Sequence, residues 1–453
     1  MTAVSFKDYL ERPEVRAAIL KQFSVKHAEN WQSVVTPGKV VRGMVDLVKD
    51  SPELLYCILF NLEFLEELVF IRGIERERIM IMADTEQEGA VAMGVYGVKA
   101  FVLPLEVREP KKAIELVAEK IGKAFYNGGD MPKSTNLVVF GNPPYQSEDG
   151  GHGKSAKPIY HLFVEAVIKH LRPKYHSFII PSRWMLGGKG LDKFRAWMLS
   201  GAPASEPNKK HISSIVDFKS ATDVFEADIA GGVCYYLWDR EHDGDCEYGD
   251  KVRKLDEEDV FIRDNIGVDI LKKVKHRHRG AWMDSIVSAR KPYGFDADTT
   301  PTATGVPCWF KQSQGKLFVD PAIVKDPRKD LGKWKVLAPY APIAGQTDFN
   351  QPVGFFTQGN LFVAAPGECC TETYIVLNSF NTEDEAKNFR SYVMTKFFRF
   401  QLLLRVVSQH IVSGTYAWVP YLGSYAAAPT DDQLFAQFGL SPAEIEHIKG
   451  RVK

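Results

Sequence analysis

Short apolar runs rich in β-branched residues recur along the first half of this chain, each followed by a stretch of helical periodicity. That rhythm constrains the fold more than any other feature. Runs at 54–60, 78–84, 99–104 and 137–140 read as buried strands. Segments 61–70, 85–92 and the Lys/Glu-rich 110–126 read as the helices between them. Further strands are expected at 177–184, 212–218 and 231–238, with helices at 159–171 and 191–199. Strand and helix alternating at this spacing predict a doubly wound, mostly parallel α/β sheet of about seven strands. The rhythm stops near 239–244, which suggests one domain over 1–245 and a second, α+β domain over 246–453. A chain of 453 residues is long enough for both.

The strand at 137–140 runs into Gly141-Asn142-Pro143-Pro144-Tyr145. Each proline fixes its own φ and pushes the residue before it towards extended geometry. The Asn142 amide and the neighbouring carbonyls are therefore held rigidly at a strand's C-terminal end. Ligands bind at that end in open α/β sheets. A rigid amide oxygen, an adjacent carbonyl and an exposed ring at Tyr145 can together accept hydrogen bonds from an exocyclic amino group while the ring stacks on its base. The alternative reading of the same residues is a plain Pro-Pro turn after a strand.

Other features narrow the function. Thr36 reads as the N-cap of a helix with Pro37 at its first position, followed by an apolar face at Val40, Val41, Met44, Val45 and Val48. Alone this is an amphipathic helix, but its opening can also present a hydroxyl and N–H groups to a carboxylate. The polar, Gly-rich segment 147–155 reads as a mobile loop over the site. It is not a phosphate-binding P-loop, because the glycine required five positions before Gly153 is Glu148. The six cysteines form no CxxC pair and no metal spacing, so no metal site is expected and the thiols read as reduced. Residues 1–7 lack a signal-peptide core, and no run of about 20 apolar residues occurs. A soluble, cytoplasmic protein that does not enter a membrane is the expectation.

The formal net charge is zero, so any basic surface must be local. One candidate is Lys272, Lys273, Lys275, Arg277 and Arg279, which open a stretch to Lys335 with 14 Lys/Arg against 6 Asp/Glu. Aromatic residues are interleaved with it. The pattern fits either a solvated face or phosphate contacts to nucleic acid.

Taken in order, the motifs are a Thr-Pro helix, strands ending at Asn61/Glu63 and at Asp84, Asn142-Pro143-Pro144-Tyr145, Pro181-Ser182-Arg183-Trp184, then Val224-Phe225, with a basic domain behind them. This order resembles the gamma-class N6-adenine DNA methyltransferases of restriction–modification systems, over nearly the whole chain. The resemblance implies a Rossmann-like methyltransferase sheet and a C-terminal target-recognition domain. It implies S-adenosylmethionine as cofactor, with Thr36 and Pro37 at its methionine part and Asp84 at its ribose hydroxyls. It also implies that Asn142 and the Pro143 carbonyl hold the adenine amino group, with Tyr145 stacking on one face of a flipped base and Phe225 closing the other. Double-stranded DNA would be the partner, with any cognate restriction endonuclease on another chain. One departure stands out. The first loop reads Phe60-Asn61-Leu62-Glu63-Phe64, without the family's glycines. Either Asn61 and Glu63 take over the cofactor contacts, or cofactor binding is weakened or lost. The remaining alternatives are a methyltransferase acting on RNA or on protein glutamine, and a degenerate fold serving as a DNA-recognition subunit.

Overall fold

The computed structural model describes residues 9–24, 35–103, 109–128, 131–146, 157–188, 190–201, 209–226, 229, 231–311, 313–343, 351–356, 359–406 and 410–453. The loop expected at 147–155 lies outside them. The chain divides into two compact units, Met1–Phe261 and Ile262–Lys453.

The first unit is built on one sheet. Its strands are β1 (Leu55–Leu59), β2 (Ile79–Ala83), β3 (Lys99–Val102), β4 (Leu137–Gly141), β5 (Tyr175–Pro181), β6 (Ile212–Phe218), β7 (Val233–Asp239), β8 (Cys246–Tyr248) and β9 (Lys251–Arg253). They lie in the order β3-β2-β1-β4-β5-β7-β6-β8-β9. Strands β3, β2, β1, β4 and β5 pair in parallel. β7 runs antiparallel to both β5 and β6. The central strands β2 and β4 are buried along their whole length, which is why they read as unbroken apolar runs rather than as alternating ones. The rhythm of the sequence predicts seven strands. β8 and β9 add two more beyond β6, so the sheet runs past the expected domain boundary at 245 and the unit closes at Phe261.

Strand order reverses between β1 and β4, the chain going one way to β2 and β3 and the other way to β5. Such a switch leaves a crevice at the carboxyl ends of the two strands. Leu59 and Gly141 are register partners at that point, so the residues after each strand are neighbours across it. Most helices fall where the periodicity puts them: α1 (Pro13–Ser24), α2 (Gly38–Asp46), α3 (Glu63–Leu65, continued to Ile71 in wider π-type turns), α4 (Glu86–Val91), α5 (Pro110–Phe125), α6 (Tyr160–Ala166) and α7 (Asp192–Ser200). The segment expected to be strand through Trp184 instead leaves the sheet after Pro181 and forms a 3-10 turn over Ser182–Met185.

The second unit is α+β. It contains α8 (Asn265–Arg277), a three-stranded sheet from Val306–Trp309, Lys316–Val319 and Cys369–Cys370, and another from Trp334–Pro339, Phe362–Ala364 and Tyr374–Phe380. Its later helices include Glu383–Val393, Lys396–Leu403, Asp431–Phe438 and Pro442–Arg451. Phe397, Phe398, Phe400, Leu402 and Leu404 are core residues, and Leu403 is half-buried. Among the described residues no helix is long and apolar enough to cross a membrane.

Candidate functional site

The site is organised around Asn142, the first residue past β4. Gly141 precedes it for a steric reason. A Cβ there would lie 2.8 Å from the Leu59 carbonyl oxygen and 3.1 Å from both Leu59 Cβ and Phe178 Cε1. Only glycine lets β1 and β5 close on β4 at this level. Asn142 is fully buried, and Asn61 and Thr36 are among the neighbours that hold it. Its backbone N–H donates to Asn61 Oδ1 at 2.7 Å, and its side-chain Nδ2 donates to Thr36 Oγ1 at 3.3 Å. With Nδ2 turned to Thr36, Oδ1 is turned the other way. Pro143 and Pro144 are buried and bring no N–H of their own to satisfy.

Tyr145 departs from expectation. Its ring is buried, 6% exposed, rather than open to solvent. It packs at 6.5 Å and 79° to the ring of Tyr160 on α6, and its carbonyl accepts from the Ile159 N–H at 3.0 Å. An isolated bridge between Gln146 and Pro158 brings the chain back beside it. Burial raises the pKa of the Tyr145 hydroxyl, so it stays protonated. Phe225 follows a 3-10 turn at Ala221–Asp223, its N–H donating to the Ala221 carbonyl at 2.8 Å, and is also buried. The Tyr145 and Phe225 rings make no direct stacking contact with each other.

Thr36 corrects a second expectation. α2 begins at Gly38 with Pro37 in the capping position and no side-chain cap. The Thr36 hydroxyl faces Asn142 instead of its own helix. Besides its buried apolar face, two contacts place α2 against the site. Lys39 Nζ donates to the Asp223 carbonyl at 2.6 Å, tying the helix start to the turn before Phe225. Gly43 sits so close to β7 that a Cβ there would fall 2.3 Å from Tyr235 Oη. The second contact needs glycine, which the hydrophobic pattern of the helix does not reveal.

The first loop has no glycine, yet it makes a glycine-like turn. Phe60 takes φ 70°, a left-handed conformation that is a genuine outlier for a bulky residue. Burial against Phe163, at 6.0 Å and edge-on, accompanies it. The turn delivers Asn61 beneath Asn142, with Asn61 itself 4% exposed. Asn61 Oδ1 is thus committed to the protein's own backbone. Glu63 is half-buried at the start of α3. Asp84 is half-buried directly after β2. Its N–H donates to Glu88 Oε2 at 2.8 Å, within a capping box in which Thr85 and Glu88 bond reciprocally. That box fixes the backbone from which the Asp84 carboxylate projects.

A network that sequence reasoning does not reach joins the turn after β5 to β6 and β8. Ser182 Oγ donates to Asp217 Oδ1 at 2.9 Å and Tyr248 Oη to Asp217 Oδ2 at 2.7 Å. No local sequence signal pairs residues so far apart.

In the second unit the basic residues divide. Lys273 Nζ pairs with Glu444 at 2.6 Å. Arg277 donates to the Gln437 carbonyl at 3.2 Å, and its guanidinium lies where a Cβ on Gly439 would sit, 2.3 Å away. Lys275 Nζ stands 5.8 Å from the Trp418 ring centre. These three contact the unit's own elements, Lys273 and Lys275 half-buried and Arg277 exposed; Lys272 and Arg279 are exposed as well. Among the described residues, no group of three or more His, Cys, Asp or Glu is placed to hold a metal ion.

Residues 122–225 match the family described as Eco57I restriction-modification methylase. The match spans β4, the Asn142–Tyr145 turn and Phe225. An uncharacterised adenine-specific methylase of Mycoplasma pneumoniae is 34% identical over 115 residues, 24% of this chain and 24% of that protein. The chain therefore spans about a quarter of the length of the curated relative it matches. Solved structures similar to it include a component of a type I restriction–modification system, at 16% identity and TM-score 0.34, over 53% of this chain and 50% of that one. Another is the type IIL restriction-modification enzyme MmeI in complex with DNA, at 10% identity and TM-score 0.37, over 98% and 72%. Residues 122–225, which carry β4, the Asn142–Tyr145 turn and Phe225 of this α/β sheet, are thus similar to the restriction-modification methylases of the Eco57I family.

Proposed function

We propose that the chain is an S-adenosylmethionine-dependent methyltransferase acting on the N6 amino group of adenine in double-stranded DNA, in a restriction–modification setting. The observation that carries this is the placement of Asn142. It sits at the carboxyl end of β4, at the switch point, with its amide held by Thr36 and its backbone by Asn61. Any cognate endonuclease would be a separate chain.

The residues present fit the cofactor. Phe60 supplies the backbone turn that a loop glycine would, and Asp84 projects from a fixed position beyond β2. Thr36, Pro37, Glu63 and Asp84 would hold it, while Asn61 contributes through the turn rather than through Oδ1. When bound, it presents a methyl group on a sulfonium, an electrophile. The adenine nitrogen is a poor nucleophile because its lone pair is delocalised into the ring. Asn142 Oδ1 and the Pro143 carbonyl accept from its two hydrogens and draw it towards tetrahedral geometry. They also stabilise the positive charge that grows as the N–C bond forms and the C–S bond breaks. This is electrostatic preorganisation, and one such group is worth about 10²–10³ in kcat. The proton then leaves N6 for solvent. The amino group is out of reach inside a duplex, so the base must be flipped, and Tyr145 and Phe225 are the rings assigned to its two faces. Transfer of labelled methyl from S-adenosylmethionine to a panel of duplex DNA, RNA and protein tests the substrate. The expected result is label in N6-methyladenine of DNA alone; label only in RNA or protein glutamine would overturn the DNA assignment.

A further inference from the structure

We propose that Thr36 is a positioning residue that sets the orientation of the Asn142 amide, beyond any contact it makes with the methyl donor. The inference rests on the adenine methyltransferase reading. Three observations carry it. Thr36 is buried, 1% exposed, and does not cap its own helix. Its Oγ1 lies 3.3 Å from Asn142 Nδ2. Its place is fixed from two sides by α2, through Lys39 on the Asp223 carbonyl and Gly43 against Tyr235.

The chemistry turns on a single proton. A hydroxyl carries one donor and two acceptor lone pairs, so it could pair with either end of an amide. If its proton went to Asn142 Oδ1, the amide would present NH₂ to the target, a donor facing a donor. When that proton is directed to an acceptor on the donor side, the hydroxyl can only accept from Asn142. Nδ2 must then face Thr36, and Oδ1 must face the adenine amino group. A carboxylate such as the one on the methionine part of the donor is an acceptor of that kind. Thr36 thus links the occupied donor site to the polarity of the amide that receives the target. Asn61 fixes the other end of the same residue through its backbone N–H.

The test compares Thr36→Val, which keeps the shape and removes the hydroxyl, with Thr36→Ser, which keeps the hydroxyl. Methyl transfer to target DNA is followed while S-adenosylmethionine is raised until the rate no longer climbs. The expected result for Thr36→Val is a plateau kcat lowered about 10- to 100-fold, the scale of a misplaced reacting group. Thr36→Ser should recover most of it. A residue that only contacted the donor would raise KM and leave the plateau unchanged, so a Thr36→Val plateau within about twofold of wild type overturns the proposal. Crystal structures of the three proteins give a readout free of activity. The Asn142 side chain should be ordered in wild type and Thr36→Ser, and rotated or split in Thr36→Val; an unmoved side chain overturns the proposal. Absence of transfer to any adenine by the wild type would instead strike the functional reading, and the crystallographic comparison would still decide the role of Thr36.

Discussion

Replacing Gly141 by alanine tests how tightly the site depends on the β1–β4 junction. The added Cβ would lie 2.8 Å from the Leu59 carbonyl oxygen and 3.1 Å from the Phe178 ring. Comfortable carbon contacts need about 3.5–4.0 Å, so the backbones must part by several tenths of an ångström. Both neighbours are fully buried, so neither can swing into solvent. Overpacking of this kind costs about 1–3 kcal/mol. The same opening stretches the 2.7 Å bond from the Asn142 N–H to Asn61 Oδ1. A buried group left without its partner costs about 1–3 kcal/mol more. The sum is about 2–6 kcal/mol. Chemical denaturation of the full chain reads it as a lowered midpoint for the first unit, and methyl transfer should fall along with it. Gly38→Ala is the control, since a Cβ there meets nothing within 4 Å. Equal midpoints for the two variants would refute the packing argument.

Three further outcomes are expected. His176 is fully buried beside Phe178 and Tyr236, and burial lowers its pKa to about 3 from an ordinary 6.5. The folded state therefore resists its protonation: the stability it contributes is complete above pH 6.5 and drains away as pH falls towards 3. Between pH 7 and pH 5 that loss is about 2 kcal/mol. Denaturation at both pH values should show it in wild type and not in His176→Asn; equal pH dependence in both would contradict it. In the second unit, Arg279→Ala should weaken DNA binding across sequences and reduce the salt slope by about one, as loss of a phosphate contact does. Lys273→Ala should act mainly on stability, by breaking the pair with Glu444, and titrations over a salt series separate the two.

Much of the fold is legible in the sequence because central parallel strands are buried on both faces. β2 and β4 could hardly be written otherwise than as Ile-Met-Ile-Met-Ala and Leu-Val-Val-Phe-Gly. β8 and β9 escape a reading of the sequence because three-residue strands at a sheet edge carry too short a pattern. The Asn142 turn is legible because prolines declare their backbone geometry. The burial of Tyr145 is not, since it depends on Tyr160 of α6, fifteen positions away. The first loop misleads in an informative way. Glycine is the usual route to a left-handed turn, but Phe60 reaches the same conformation where burial against Phe163 supports it. In the sequence Thr36 stands out as a helix cap and a donor contact, and Asn61 as a donor contact. Their bonds to Asn142 span 106 and 81 residues, and no local pattern encodes pairings of that length.

The most direct test is to express the chain in cells whose DNA lacks N6-methyladenine and to sequence that DNA with a method that detects the modified base. N6-methyladenine should accumulate at one recognition sequence with the wild-type chain, and should be lost with Asn142→Ala under equal expression. Unmodified adenine with the wild type, or modification that persists in Asn142→Ala, would contradict the account.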